Sequence, residues 1–431
     1  MKKIVLSVLI WMFVLLVQGQ GIVFVESANW QGILERARQE NKYVFVDCYA
    51  SWCAPCKQMD QQVYSNDTIG RFMNDRFICV KVQMDSTKHD RQAAQDWYAT
   101  AHALQEQYSI RAYPSFLFFS PQGLIVHKDI GAKRVDAFLD VAKAALNSQE
   151  QYYTLLGMYY DGRLVFADMP GLANTARKLG QDSLATSIAR HYINDSLSTL
   201  PADSLWTKGN LTFMSSFVRG MHVDEKAFSL YFESRELIDS IIGSKGYANG
   251  VINAVIYADE VKAKFPSAAK EDREPDWKEI GSSITQRYGK DYVERNLLKG
   301  RVEFYRIVKN WKQYAKYLVL RSEYLKIEQA PPGFSASMQL NNVAFDVFKY
   351  SRNKQELRKA LTWANGALAM DSGKSYYSGD LDTKANLLYK LGRKKEALEL
   401  ERQSIDLDPQ DREIQENYQK MVSGLPTWPI Q

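Results

Sequence analysis

The pattern of strands and helices changes once along this sequence of 431 residues. Up to about Asn147, apolar runs typical of buried strands, such as YVFVDCYA and FICVKVQMD, alternate with stretches that have helical spacing. SFLFFS and LIVHKDI flank the turn PQG and predict two antiparallel strands. Beyond Gln149 only helical stretches continue. The sequence therefore predicts an α/β domain with a mixed central sheet flanked by helices, followed by an all-α region.

The first 20 residues have the organisation of a signal peptide. Lys2 and Lys3 precede an apolar stretch from Ile4 to Val17, and Gly19 stands where a signal peptidase prefers a small residue. The apolar stretch is shorter than the roughly 20 residues that cross a bilayer. We therefore expect residues 1–20 to be removed and the protein to be periplasmic or otherwise exported. The alternative is an uncleaved N-terminal membrane anchor in the same compartment.

Composition narrows the class of protein. Hydrophobic residues make up 45% of the chain, enough for sizeable cores in a protein long enough for several domains. The net charge of +5 is modest, and no basic run with interleaved aromatic residues indicates binding to nucleic acid. An exported protein of this length with only four cysteines has no disulfide framework, so we expect a chemical role for some of them.

The stretch Cys53-Ala54-Pro55-Cys56 follows a predicted strand and opens a predicted helix. Unpaired N–H groups and the helix dipole would lower the pKa of Cys53, and the spacing lets the second sulfur reach the first. Cys53 would attack a substrate disulfide and Cys56 would resolve the mixed disulfide. A structural disulfide and a zinc site are the alternatives. Because the chain has no second CxxC and no close pair of histidines, we expect no metal.

The segment VDCYASWCAPCK resembles the active-site region of the thioredoxin superfamily. The residues that follow it are similar to the C-terminal periplasmic domain of the DsbD family of thiol:disulfide interchange proteins. The resemblance covers roughly residues 25–147. It implies a thioredoxin fold in which the Cys53–Cys56 disulfide exchanges with protein thiols and disulfides, without a metal or organic cofactor. It also suggests a membrane thiol reductant upstream.

The resemblance assigns a proton-transfer role to two charged residues. Asp47 falls where thioredoxins bury an acid that takes the proton from the resolving thiol of Cys56. Lys81, in the next strand, falls where the family places a lysine near that acid. The alternatives are that Asp47 caps a turn and that Lys81 is a solvated charge at a strand edge.

Three more residues are expected to contact substrate. Pro114 matches the cis-proline of the family, and the backbone of Tyr113 beside it would pair with a substrate chain. Trp52 would shield the disulfide. An ordinary trans proline and simple packing of Trp52 at the rim are the alternatives.

The two remaining cysteines are predicted to be buried, unreactive thiols. If Asp47 and Lys81 are lateral neighbours on adjacent strands, Cys48 lies beside Val82. Cys79 is then three residues further along the strand, about 10 Å away, which is too far for a disulfide.

The all-α region, residues 148–431, is predicted to contain degenerate repeats that resemble tetratricopeptide repeats. The clearest is 381–409, with Ala385 in the first helix, Ala397 and Ser404 on one face of the second, and Pro409 at its end. Two less regular repeats each contain a pair of small residues seven positions apart, at Ala360 and Ala367 and at Ala315 and Ser322. Such repeats commonly bind a protein partner; here they could equally serve only as a spacer.

We therefore expect a signal peptide (1–20), a thioredoxin-like domain (21–147) and a helical domain (148–431). The expected function is that of an exported thiol–disulfide oxidoreductase, on the reductant or isomerase side because the Ala-Pro pair supplies no histidine to stabilise the thiolate further. The alternative is a non-catalytic scaffold protein of the tetratricopeptide type whose thioredoxin-like domain only binds partners.

Overall fold

The computed structural model describes residues 21–25, 29–271, 273–329, 334–371 and 377–429. The expected signal peptide, residues 1–20, lies outside the described residues. The chain divides into two compact units, the first ending at Leu200 and the second beginning at Pro201. In the described part, no helix has both the length and the apolar character needed to cross a membrane.

The first unit is built on a four-stranded mixed sheet with the order β2-β1-β3-β4, as the predicted fold class requires. β1 and β2 are parallel, whereas β1–β3 and β3–β4 are antiparallel. In chain order its strands and α-helices are α1 (Trp30–Glu40), β1 (Tyr43–Tyr49), α2 (Ala54–Met59), α3 (Asp67–Arg76), β2 (Phe77–Gln83), α4 (Gln92–Gln95), α5 (Tyr98–Gln107), β3 (Ser115–Phe119), β4 (Ile125–Ile130), α6 (Val135–Ala144), α7 (Tyr152–Tyr160), α8 (Met169–Lys178) and α9 (Asp182–Asp195).

Both faces of the sheet are covered by helices. Because successive side chains of a strand point to opposite faces, β1 contributes Val44, Val46 and Cys48 to one face and Phe45 to the other. Helices α1 and α5 cover the first face. The second face is covered by α2, α3, α6 and the π-helical turn Asp60–Tyr64 that follows α2. The central strands are therefore buried on both sides.

The register of β1 and β2 separates the two free cysteines. Asp47 pairs with Lys81 and Cys48 with Val82, as predicted, while Cys79 pairs with Phe45. Cys48 and Cys79 are both buried and unbonded, and they lie in the cores on opposite faces of the sheet. Burial raises the pKa of both thiols well above its ordinary value, which makes each a poor nucleophile.

The first unit extends beyond the sheet and the helices that cover it. The N–H at the start of α7, that of Tyr152, donates to Nδ1 of His127 on β4 at 3.1 Å. Lys178, the last residue of α8, forms an ion pair of 2.7 Å with Asp129, also on β4. Helices α7 and α8 are therefore tied to the edge strand, past Asn147, where we place the end of the thioredoxin-like domain.

The second unit is helical throughout its described residues. A π-helical turn (Tyr257–Val261) and a 3₁₀ turn (Lys262–Lys264) lie between α14 and α15, and further 3₁₀ turns lie elsewhere in this unit. Its α-helices are α10 (Ala202–Leu205), α11 (Lys208–Ser216), α12 (Lys226–Glu233), α13 (Arg235–Ile242), α14 (Tyr247–Ile256), α15 (Phe265–Lys270), α16 (Trp277–Tyr288), α17 (Val293–Ile307), α18 (Trp311–Leu325), α19 (Phe334–Tyr350), α20 (Lys354–Asp371), α21 (Tyr377–Lys390), α22 (Lys394–Leu407) and α23 (Arg412–Val422).

The last six helices before α23 form three successive hairpins, α17–α18, α19–α20 and α21–α22. Each of the small-residue pairs singled out in the sequence lies on the second helix of one hairpin and is buried there. In the last hairpin, the Ser404 hydroxyl also donates to the Ser378 carbonyl at 2.7 Å. Small side chains at these positions let the two helices of a hairpin approach closely.

A pair of acidic side chains is buried where α21, α22 and α23 meet. Oδ1 of Asp382 accepts from Nδ2 of Asn386 at 2.9 Å and from Nδ2 of Asn417 at 3.0 Å. The neighbouring Glu401 is fully buried. Burial and the Asp382 carboxylate raise the pKa of Glu401 to about 10, so that Glu401 is protonated at neutral pH.

This pair makes the stability of the helical unit depend on pH. The folded chain holds a proton on Glu401 that the unfolded chain releases above its ordinary pKa, so the unfolding free energy falls as pH rises between that value and about 10. The expected slope is at most about 1.4 kcal/mol per pH unit. Thermal unfolding followed by far-ultraviolet circular dichroism at pH 5, 7 and 9 measures it. The Glu401→Gln variant should show a weaker dependence of stability on pH. An equally steep dependence in this variant would contradict the assignment of the proton to Glu401.

Candidate active site around Cys53 and Cys56

A disulfide joins Cys53 and Cys56 at the start of α2, with the Cα atoms 5.3 Å apart. Cys53 is the N-cap of this helix, and its Sγ accepts a hydrogen bond from the Cys56 N–H at 3.1 Å. Pro55 stands in the first helical turn, where the missing N–H of proline leaves no helical bond unmade. After reduction, a thiolate on Cys53 would meet the positive end of the helix.

Two aromatic residues border the disulfide. Tyr113 packs against the small cluster formed by Ala50 and the two cysteines. Trp52 is 70% exposed, and its ring lies 5.9 Å from that of Tyr113 in an edge-to-face arrangement. The Tyr113–Pro114 peptide bond is cis, as predicted. Trp52 and Tyr113 therefore offer an aromatic rim beside the disulfide; their contact with substrate stays a prediction.

The predicted acid, Asp47, is buried on β1, and Lys81 is its partner on β2. Only 1% of Asp47 is exposed, so it does not cap a surface turn. Lys81 Nζ lies 3.8 Å from Asp47 Oδ2. Both side chains point to the sheet face that α2 and the following π-helical turn cover, because Asp47 comes two residues after Phe45 on the same strand.

A second acid, Asp60, completes this charged group. Asp60 is the first residue of the π-helical turn and forms an ion pair with Lys81. Lys81 Nζ also lies 4.9 Å from the ring centroid of Tyr49 and 5.6 Å from that of Tyr64. Lys81 is therefore a half-buried cation held between two carboxylates and aromatic faces, not a solvated strand-edge charge.

The surroundings adjust the acidity of Asp47. Burial raises its pKa to about 7; the positive charge of Lys81 opposes this shift and the negative charge of Asp60 adds to it. Asp47 Oδ1 has no hydrogen-bond partner among the described residues. A carboxyl with a pKa near neutrality can both accept and return a proton at physiological pH.

Substitutions at Lys81 and Asp60 are expected to move the pKa of Asp47 in opposite directions. Lys81→Met removes the favourable charge and should raise this pKa, whereas Asp60→Asn removes a like charge and should lower it, each by roughly one unit. Carboxyl-carbon NMR titration of Asp47 measures both shifts. Shifts of the same sign would show that charge does not control the acidity of Asp47.

The loop before Cys53 is anchored by an acid from the neighbouring strand end. Asp85, two residues after β2, accepts from the Ser51 N–H at 2.8 Å and from the Ser51 hydroxyl at 2.5 Å. Because β1 and β2 are parallel, their carboxyl ends meet at the same edge of the sheet. Asp85 therefore holds the segment that carries Trp52 and Cys53.

Sequence reasoning missed Asp60 and Asp85. Asp60 lies four residues after Cys56, so helical spacing puts it about one turn further along, but its contact with Lys81 depends on the π-helical turn that begins at Asp60. Asp85 lies two residues beyond β2, and the parallel pairing of β1 with β2 brings it to the loop before Cys53. The structure brings together the predicted residues Cys53, Cys56, Trp52 and Tyr113. Asp47 and Lys81 are paired on β1 and β2, on the sheet face that α2 covers.

Part of this chain is similar in sequence to known thioredoxin-like proteins. Residues 27–121 match the family model described as thioredoxin-like. The thiol:disulfide interchange protein DsbD of Photorhabdus laumondii is 30% identical over 121 residues, which are 28% of this chain and 18% of that protein. Thioredoxin H4 of Arabidopsis thaliana is 28% identical over 126 residues, 29% of this chain and 91% of that protein.

A solved structure of similar size to the first domain also matches. The solution structure of a candidate disulphide isomerase from Bacteroides thetaiotaomicron is 29% identical, and the match covers 30% of this chain and 98% of that chain with a TM-score of 0.26. The chain spans less than a fifth of the length of the DsbD proteins that it matches. Residues 27–121 of this chain, which match the thioredoxin-like family model, carry the Cys53–Cys56 disulfide.

Proposed function

We propose that this protein is an exported thiol–disulfide oxidoreductase that exchanges the Cys53–Cys56 disulfide with substrate proteins. The observation that carries the proposal is the position of this disulfide. It opens a helix, with Cys53 Sγ receiving a backbone N–H, in a thioredoxin-like domain that also buries an acid with a pKa of about 7. The similarity to DsbD and thioredoxin proteins supports it.

The first step starts from the reduced protein. The Cys53 thiolate attacks one sulfur of a substrate disulfide, which forms a Cys53–substrate disulfide and breaks the substrate S–S bond. The other substrate sulfur leaves as a thiolate and takes a proton from water. Trp52 and Tyr113 supply the apolar rim on which the substrate chain would lie.

The second step releases the substrate. Asp47 accepts the proton of the Cys56 thiol, and the Cys56 thiolate attacks Cys53 Sγ. The Cys53–Cys56 disulfide forms while the second substrate sulfur leaves as a thiolate. Two electrons pass from the protein to the substrate in this cycle, and Lys81 stabilises the ionised form of Asp47. Thiol–disulfide exchange of this kind needs no metal or organic cofactor.

We place the reaction outside the cytoplasm and on the reducing or isomerising side. The signal-peptide organisation of residues 1–20 supports export, and the Ala-Pro pair between the cysteines supports a reductant or isomerase. A membrane thiol reductant would return electrons to the oxidised protein. The helical hairpins of the second unit, with their buried small-residue pairs, support a role in recruiting protein partners.

Equilibration of the full chain with graded mixtures of oxidised and reduced dithiothreitol tests the proposal. Alkylation and mass spectrometry should show one reversible two-electron transition at Cys53 and Cys56, with Cys48 and Cys79 remaining thiols throughout. A Cys53–Cys56 bond that opens only when the protein unfolds would contradict it. The scaffold alternative predicts instead that Cys53→Ser retains the cellular role of the protein.

A further inference from the structure

A group of basic side chains lies in the second unit near the contact between α17, α18 and the π-helical turn Tyr257–Val261. On α17 the basic residues recur at spacings of four and seven residues, which places them along one face of the helix. The others come from α18 and from the residue after the π-helical turn. This basic cluster consists of Lys262, Arg295, Lys299, Arg306 and Arg321.

Two members of the basic cluster, Lys299 and Arg321, are half-buried. Lys299 Nζ lies 3.7 Å from the ring centroid of Tyr257, and Arg321 is half-buried on α18. In the described part of the chain, neither forms an ion pair with a carboxylate. Glu303, on the same face of α17, is already engaged by Lys262 at 3.0 Å and by the Tyr257 hydroxyl.

Burial and neighbouring positive charges disfavour the charged form of both residues. Burial, together with the charges of Arg321, Lys262 and Arg295, holds the pKa of Lys299 below its ordinary value, with Glu303 opposing. Burial and the charge of Arg295 do the same for the pKa of Arg321. Half-buried like charges cost free energy unless an anion lies between them. Within the described chain, Glu303 pairs with Lys262, and neither Lys299 nor Arg321 forms an ion pair of its own.

We propose that the basic cluster binds a carboxylate-rich segment of a partner protein. The two parallel N–H groups of an arginine guanidinium match the two oxygens of a carboxylate in geometry, and the charges of the two groups are opposite. From Arg295 to Arg306 the face of α17 extends about 16 Å, which suits an extended segment of roughly five residues rather than one small anion. This inference deepens the recruiting role proposed for the helical hairpins and is independent of the cysteine chemistry, so its failure would leave the redox proposal standing.

Binding of a fluorescein-labelled peptide of eight glutamates to the oxidised full chain, followed by fluorescence anisotropy, tests the proposal. We expect Lys299→Gln and Arg321→Gln each to weaken binding at least about tenfold. Binding to the wild type should also weaken as salt is added, because the attraction is between charges that salt screens. Circular dichroism confirms that each variant keeps its helical content.

Lys312→Gln is the matched control, because Lys312 is an exposed lysine on α18 outside the basic cluster. Its affinity for the peptide should stay within about twofold of the wild type. Equal weakening by Lys312→Gln would overturn the proposal, since it would show non-specific attraction to net charge. Absence of peptide binding to the wild type would overturn it too. The proposal would also be overturned if inorganic phosphate stabilised the wild type but not Lys299→Gln and no peptide bound. That result would show a small-anion site instead.

Discussion

The Cys56→Ser variant is expected to accumulate as a mixed disulfide with its substrate, linked through Cys53. In the wild type, Cys56 attacks Cys53 Sγ from within the same helical turn, so that resolution is intramolecular. A serine hydroxyl cannot perform this exchange, and release would then depend on an external thiol. With a disulfide-containing model peptide, the lifetime of the mixed disulfide should increase by at least about a thousandfold.

Quenching by acid, alkylation and mass spectrometry would measure this lifetime. The matched control is Cys48→Ser, which removes a buried thiol from the opposite side of the sheet core and should leave the lifetime unchanged. A Cys56→Ser variant that releases substrate as fast as the wild type would show that Cys56 is not the resolving thiol.

The Asp47→Asn variant is expected to be slower and more stable than the wild type. An amide cannot accept the Cys56 proton, so resolution at pH 7 should slow by roughly ten- to a hundredfold. Burial raises the pKa of Asp47 to about 7, so the folded protein holds a proton that the unfolded chain releases, and the wild type loses stability as pH rises to about 7. The loss reaches roughly 4 kcal/mol, and asparagine avoids it.

Two measurements separate this role from simple packing. Urea unfolding of the oxidised proteins should show that the advantage of Asp47→Asn grows between pH 4 and pH 7 and is constant above. The rate of resolution in the wild type should rise with pH through the same range, whereas the variant should lack this rise. A variant with normal rates at pH 7 would remove Asp47 from the proton path.

The sheet and the separation of Cys48 from Cys79 were predictable because strand patterns carry positional information. The apolar runs YVFVDCYA and FICVKVQMD predicted two buried strands, and the resemblance that puts Lys81 beside Asp47 was then enough to place Cys48 and Cys79 apart. Asp60 was less accessible to sequence reasoning. Its contact with Lys81 depends on the π-helical turn after α2, which repositions the side chain and has no clear sequence signature.

The helical region was predictable only where packing requires a particular residue size. Small residues seven apart, such as Ala360 and Ala367, mark the second helix of each of three hairpins. The sequence pattern is typical of a surface position on an amphipathic helix at Glu401, yet this residue is fully buried beside Asp382. Asp382 in turn accepts a hydrogen bond from Asn417 of α23, a tertiary contact that local periodicity does not encode.

The extent of the first unit was also hidden from the sequence. The strand patterns end near Asn147, but α7 and α8 are tied to β4 through His127 and Asp129. These contacts join polar residues far apart in the chain, and neither residue stands out in a periodic pattern. A boundary taken from the loss of strand signals therefore marks the end of the sheet and not the end of the compact unit.

Insulin reduction in the presence of dithiothreitol tests the central claim most directly, with the full chain compared against Cys53→Ser and the control Cys48→Ser. The wild type and Cys48→Ser should accelerate precipitation of the insulin B chain to the same extent, whereas Cys53→Ser should give the uncatalysed rate. A wild type no faster than Cys53→Ser would contradict the assignment of a thiol–disulfide oxidoreductase.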